Sequence, residues 1–221
     1  LYANRNFDAG ISIYAVSRKK EHLKERFEVQ ENLKFIETDV TAIDSAVVKN
    51  SSFDYIIHAA SYGHPKAFRE KPAEVLISNV VGTQKVLELA RVCQKGRVLY
   101  VSSGEAQEQV DHLSARACYP MGKKAAETMC LSYMQEYGSD VVIARPSHIF
   151  GANMAAHDNR AAAQFLRAAA AGRDIRMYSA GEQQRSFSYV ADCASGLMTI
   201  LVHGKIGGVY GISAGEECTM R

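Results

Sequence analysis

The sequence predicts a doubly wound α/β fold built on a parallel sheet. Short runs rich in β-branched residues alternate with longer helical stretches, those runs are apolar nearly throughout, and polar residues collect where they end. Continuous apolar runs suit strands covered on both faces, and strand–helix alternation implies right-handed crossovers between parallel strands. Ligands of such sheets bind beyond the carboxyl ends of the strands.

The elements follow in order. "LYANRNFDAG" (1–10) reads as the tail of a helix turning into a strand, and the chain stops at "ECTMR" without a closing element; a part of a longer protein is expected. Strands are expected at "ISIYAV" (11–16), "LKFIE" (33–37), "DYIIHAA" (54–60), "RVLYVSS" (97–103) and "DVVIAR" (140–145). Helices are expected at 19–27, 72–94 and 119–137, the last two with apolar residues at helical spacing. Pro72 and Pro120 fall in a first turn, where a missing N–H is no loss. "RAAAQFLRAAAAG" (160–172) reads as a helix with Arg160, Gln164 and Arg167 on its polar side and Gly172 as its cap. Beyond Arg145 the chain breaks into short pieces punctuated by glycine, as in a small loop-rich lobe laid over the sheet. Residues 1–145 are therefore expected to form one unit. Residues 146–221 are expected to be mainly a substrate-binding lobe, interleaved with the last sheet elements.

Composition narrows the function. With 221 residues, 47% of them hydrophobic, the chain can build one core, and a net charge of +2 gives no basic stripe for nucleic acid. Five scattered cysteines, an odd count without CxxC, predict free thiols in a reducing compartment, hence the cytoplasm. No apolar run reaches the length of a membrane span, no signal peptide opens the chain, and no metal-ligand spacing is present.

The stretch "SSGEAQEQVDHLSARACYPMGKKAAE" (102–127) concentrates the chemistry. Tyr119 and Lys123 are one helical turn apart and share a face, and Ser102 and Ser103 end a buried strand that reaches the same edge. A phenol ordinarily keeps its proton to about pH 10. An ammonium about 4 Å away favours phenolate by about 1–4 kcal/mol, so a lowered Tyr119 pKa is expected. Such a phenol accepts a proton from an alcohol, a serine hydroxyl holds the same oxygen, and a nicotinamide takes the hydride. The plainer alternative is a Tyr and a Lys that merely cover a helix surface.

Further signatures carry a family resemblance. "TDV" (38–40), "DYIIHAAS" (54–61), "SNVVGTQKVLELA" (78–90), "VSSGE", "YPMGKKAAE", "ARPSHIFG" and "GEQQRSFSYVADCASG" stand in the order found in the extended short-chain dehydrogenases, the NAD-dependent epimerase/dehydratase group. The chain resembles that family over nearly its whole length. The resemblance implies a Rossmann-like dinucleotide-binding unit and oxidation of a nucleotide-linked sugar at carbon 4, followed by a second step. It implies Tyr119 as base, Lys123 as its partner and a holder of the nicotinamide ribose, and Ser103 as the hydroxyl that orients the sugar. Asp39 and Val40 correspond to positions beside the adenine, Ala59 and Ala60 to the wall beside the phosphates, and Pro146, Ser147 and His148 to the turn against the nicotinamide. Asn79 is implied to support the site from behind, unless it is a plain polar residue of the helix surface; His148 is alternatively a hydrogen-bonded lining residue. Arg185 resembles the arginine that grips the substrate diphosphate, or forms a structural ion pair.

Several features depart from the family pattern. The glycine-rich phosphate loop and the first strand that precedes it are missing, and they are expected to lie outside this sequence. The Ser103–Tyr119 spacing is short, with "AQE" where "VYG" is usual, which is either a trimmed loop or a gap. "SRKKE" places Arg18 and Lys19 where an NAD-preferring protein often carries an acid; they meet the 2′-phosphate of NADP or are a solvated helix start. The cofactor is therefore expected to be NAD or NADP. Gly104–Glu105 replaces the Asp–Glu pair of dehydratases, leaving Glu105 as a candidate catalytic and substrate-binding carboxylate without its partner acid. A nucleotide-sugar epimerase or dehydratase is expected first, a UDP-glucuronate-type decarboxylase is its rival, and an inactive NADP-sensing or scaffold relative is the reading of another class. The resemblance also implies a homodimer through the helices at 72–94 and 119–137, with Val80, Val81, Met129 and Tyr133 serving either that seam or the sheet.

Overall fold

The computed structural model describes residues 2–28, 30–48, 51–93, 96–154 and 158–221. A short helix α1 (Tyr2–Phe7) leads to β1 (Ile13–Ser17), α2 (Lys20–Lys24) and β2 (Leu33–Glu37). Then come β3 (Tyr55–His58), α3 (Pro65–Glu70), α4 (Pro72–Val92), β4 (Arg97–Val101), α5 (Cys118–Tyr137) and β5 (Val141–Pro146). The remainder is β6 (His148–Phe150), α6 (Ala161–Ala170), β7 (Gln184–Arg185), β8 (Phe187–Tyr189), α7 (Val190–His203), β9 (Val209–Ile212) and β10 (Cys218–Thr219). The expected end of α4 at Gln94 lies outside the described residues.

The main sheet is parallel, in the order β3–β4–β5–β9. Side chains alternate across it, and both faces are covered near its middle. On one side Val98, Tyr100, Val141 and Ile143 pack under Val86, Leu87, Ala90, Ala126 and Cys130 of α4 and α5. On the other, Leu99, Val142 and Ala144 meet Ile200 and Leu201 of α7. This two-sided cover is the doubly wound arrangement. Because β9 joins the main sheet and α7 packs on its face, the segment after Arg145 returns to that sheet and also forms two small pairs, β6–β8 and β7–β10.

Two expectations change. β3 is covered on one face only: Ile56 packs into the core, whereas Tyr55 and Ile57 are about half exposed. An apolar run records that a strand resists water, not that a neighbour lies on each side. β1 pairs with β2 in a separate parallel ladder, and among the described residues no strand joins β1 to β3. Residues 104–117 between β4 and α5 form two 3₁₀ turns and a short linker, which bring Ser103 and Tyr119 together across a compact loop. Helix ends follow local rules: Gly172 takes a left-handed φ of 61° just past α6, letting the Arg173 N–H reach the Ala168 carbonyl at 2.9 Å. α4 and α5 approach closely at Gly122, where a Cβ would lie 3.1 Å from the Asn79 Cβ.

Candidate active site

The parallel strands end on one edge, and the candidate residues stand there because each follows a strand or opens a helix. Ser102 and Ser103 follow β4; the Ser103 hydroxyl caps the next 3₁₀ turn, accepting from the Glu105 N–H at 3.2 Å. Tyr119 and Lys123 lie in the first turns of α5, both buried. The Lys123 Nζ donates to the Val101 carbonyl at 2.8 Å, 4.9 Å from the Tyr100 ring centroid and 5.9 Å from that of Tyr119. Phe68 stacks on Tyr119 at 4.6 Å between centroids. Arg116 lies over the other partner of this stack, 4.8 Å from the Phe68 ring, and bonds Glu105 at 2.7 Å.

The electrostatics correct one expectation. The Tyr119 phenol is raised above its ordinary value, not lowered: burial dominates, the Ser103 hydroxyl pulls down, Glu105 pushes up, and Arg160 and Arg116 pull down. Burial acts on the neighbouring amine as well, bringing Lys123 down to about 8 against the pull of Glu127. Taking either charge out of water costs more than their separation returns.

His148 opens β6, exposed, with its ring against Phe187 at 5.7 Å. Burial and then Arg185 lower its pKa, while Glu105 raises it. Arg185 lies in β7, paired with Cys218 of β10, and its guanidinium donates to the Gln184 carbonyl at 2.9 Å. Pro146 is buried at the end of β5, and the Ser147 hydroxyl meets that of Ser188 at 3.2 Å.

The other candidates sit along the same edge, towards β1 and β2. The Asp39 carboxylate caps a turn, accepting from the Thr41 N–H at 2.9 Å and hydroxyl at 2.7 Å, so its pKa falls. Val40 packs where a Cβ on Gly82 would come within 2.8 Å, while Ala59 and Ala60 are exposed past β3. The Arg18 guanidinium donates to the Tyr62 hydroxyl at 2.5 Å, and Tyr62 in turn donates to Glu74 at 2.9 Å. Asn79 is fully buried: it donates to the Val75 carbonyl at 2.8 Å and accepts from the Ser61 hydroxyl at 3.0 Å. It is therefore a support for the loop after β3, not a surface residue.

Sequence reasoning missed three charged residues. Arg116 stands three positions before Tyr119, and Glu127 four after Lys123; both spacings predict a shared face. Arg145 shows no local signal, because its partner comes from another element: its guanidinium bonds both oxygens of Glu127, at 2.8 and 2.6 Å.

The fit of a dinucleotide can be tested on Lys123. An ammonium has three N–H donors, and among the described residues only the Val101 carbonyl accepts from it. Two donors are left at the strand edge, which fits a ribose diol. The loop that would cradle a pyrophosphate is not among these residues.

A doubly wound parallel sheet with Ser103, Tyr119 and Lys123 at its carboxyl edge defines the class of extended short-chain dehydrogenases. The chain belongs within that class to the NAD dependent epimerase/dehydratase family, whose model matches residues 2–213. It is 35% identical to UDP-glucuronic acid decarboxylase 1 of Xenopus tropicalis over 161 residues, covering 67% of this chain and 38% of that protein. It is 31% identical to UDP-glucuronic acid decarboxylase 5 of Arabidopsis thaliana over 180 residues, 76% of this chain and 52% of that one. The chain thus spans about half or less of these curated relatives. Among solved structures it is similar in fold to DesIV, a dTDP-glucose 4,6-dehydratase of Streptomyces venezuelae solved with NAD bound, with a TM-score of 0.82 at 23% identity over all of this chain and 72% of that one. The Bordetella bronchiseptica enzyme WbmF, solved with NAD+ and UDP, gives 0.81 at 23% identity over 95% of this chain and 67% of its own.

Proposed function

We propose that this chain forms part of an NAD(P)-dependent nucleotide-sugar enzyme that oxidises a UDP-hexuronate at carbon 4 and then removes its carboxyl group. The observation that carries this reading is the convergence of Ser103, Tyr119 and the buried Lys123 on one strand edge. The decarboxylases among its relatives support the second step.

A bound nicotinamide would supply the hydride acceptor for carbon 4. Burial keeps the Tyr119 phenol protonated, so cations set its readiness: Arg160 and Arg116 pull its pKa down, and the Lys123 Nζ lies 5.9 Å from its ring centroid. Lys123 holds the nicotinamide ribose with its remaining donors, Pro146 and His148 wall the ring, and Ala59 and Ala60 leave room for the phosphates. Asp39 and Val40 border the adenine, Arg18 the ribose next to it, and Arg185 grips the substrate diphosphate.

The oxidised sugar is a β-keto acid. Its C5–C6 bond breaks, carbon dioxide leaves, and the electron pair passes through carbon 5 to the carbon 4 oxygen, where Ser103 and Tyr119 donate hydrogen bonds to the enolate. Carbon 5 then takes a proton and carbon 4 recovers its hydride. Dehydration would instead need an acid beside Glu105 to protonate the departing hydroxyl. Position 104 is glycine, and the partner of Glu105 is the Arg116 guanidinium. Loss of carbon dioxide requires no such acid, which favours decarboxylation over dehydration, and the decarboxylases among its relatives favour it over epimerisation.

The exposed Leu76, Ile77, Met121 and Leu131 of α4 and α5 support a homodimer seam between copies of these helices. No helix among the described residues is long and apolar enough to cross a membrane. Mass spectrometry of products from full-length protein, UDP-glucuronate and NAD tests the reading. Loss of carbon dioxide supports it. Loss of water, or an isomer of unchanged mass from a neutral UDP-sugar, replaces it with the dehydratase or epimerase reading, and no turnover of any sugar nucleotide leaves a binding protein.

A further inference from the structure

The strand ends and the helix that carry the site are tied together by one carboxylate. Glu127 is buried on α5, one turn beyond Lys123 and two beyond Tyr119. Its Oε1 accepts from the Ser102 hydroxyl at 2.5 Å and from the Arg145 Nε at 2.8 Å; its Oε2 accepts from the Arg145 Nη2 at 2.6 Å. Ser102 is bonded in sequence to Ser103, and Arg145 immediately precedes Pro146, Ser147 and His148. Three elements that deliver separate parts of the site therefore meet at one side chain. A bidentate guanidinium–carboxylate pair restricts direction as well as distance.

Resting on the proposed hydride-transfer reading, we propose that Glu127 is a positioning residue: it fixes Ser103 and the Pro146–His148 turn relative to Tyr119 and is the counter-charge one helical turn from the buried Lys123. Lys123 needs such a partner. It faces Tyr119, Glu127 and Cys130 from α5, the Tyr100 ring from β4 and the neutral His58 from β3, while Arg145 from β5 reaches it through Glu127. Burial pulls the amine towards neutrality, and Glu127 is the largest opposing influence. Without it, the ammonium beside the phenol is lost at lower pH.

The test uses the full-length protein with Glu127→Gln, which keeps size and removes charge. In carbon–proton NMR spectra of lysine-labelled protein, the Lys123 Cε signal is assigned by its disappearance in Lys123→Met. Its titration midpoint is expected to fall by about half a pH unit or more in Glu127→Gln. Under the proposed reaction, kcat is expected to fall about tenfold or more while KM for the sugar nucleotide stays within about twofold. An unmoved midpoint, or an unchanged kcat, overturns the proposal. If Glu127→Gln does not fold, Glu127→Gln with Arg145→Met removes both charges; loss of the cation offsets part of the fall in the midpoint, so the readout there is kcat, expected to be about tenfold lower, and a wild-type kcat overturns the proposal. Absence of turnover in the wild-type protein would defeat the functional reading alone, because the NMR midpoint still decides the role of Glu127.

Discussion

Two carboxylate–guanidinium pairs lie on either side of Tyr119, of nearly equal length and unlike setting. Glu127–Arg145 is 2.6 Å long with side chains 9% and 22% exposed, whereas Glu105–Arg116 is 2.7 Å long with 25% and 50% exposed. The first joins α5 to β4 and β5 behind the site; the second spans the short loop in front of it. Burial makes the difference. A buried pair that loses one partner leaves a charge without water or counter-ion, while a half-exposed pair exchanges its partner for solvent at little cost. The same chemistry therefore serves as a fixed joint behind the reacting groups and as an adjustable contact before them, able to turn towards a ligand.

That contrast can be broken first at its buried end. Glu127→Gln is expected to destabilise the protein by about 3–5 kcal/mol, read by urea denaturation, because Arg145 keeps its charge. A cost within experimental error would place both pairs in the same category.

A second test concerns the core behind Lys123. His58 is buried, meets the Thr83 hydroxyl at 3.0 Å, and is lowered from 6.5 to about 3 by burial and then by Lys123. Between those values the unfolded chain binds a proton that the folded one does not, so stability falls as pH drops from 6.5 towards 3 and is insensitive to this group above that window. His58→Gln is expected to flatten that fall. An equally steep acid limb in the variant would remove His58 from the account.

The smallest effect on stability belongs to the front pair. Arg116→Ala is expected to change stability by about 1 kcal/mol or less. A larger loss would mean that its contact with Phe68, not the ion pair, holds the loop.

The parts legible in the sequence are those with a local cause. β2 at 33–37 and the start of α4 at Pro72 fall where apolar content and a first-turn proline place them, and Gly172 caps α6 because only its backbone takes that φ without cost. The placement of Ser103, Tyr119 and Lys123 on one edge followed from a strand end and a helical turn. What failed was non-local. The rise of the Tyr119 pKa depends on how much protein surrounds it, and the uncovered face of β3 on which helices lie near. The partnership of Glu127 with Arg145 crosses 18 positions and two elements. Glu127 alone was within reach, four residues beyond Lys123, had helical spacing been followed past the reacting pair.

The central claim, that the Tyr119 oxygen takes the carbon 4 hydroxyl proton, is tested most directly by rapid mixing of full-length protein with NAD and UDP-glucuronate while the absorbance of reduced nicotinamide is followed. In Tyr119→Phe the reduction rate is expected to fall about 100-fold or more with NAD affinity within about twofold of wild type. Reduction at the wild-type rate in that variant would contradict the account.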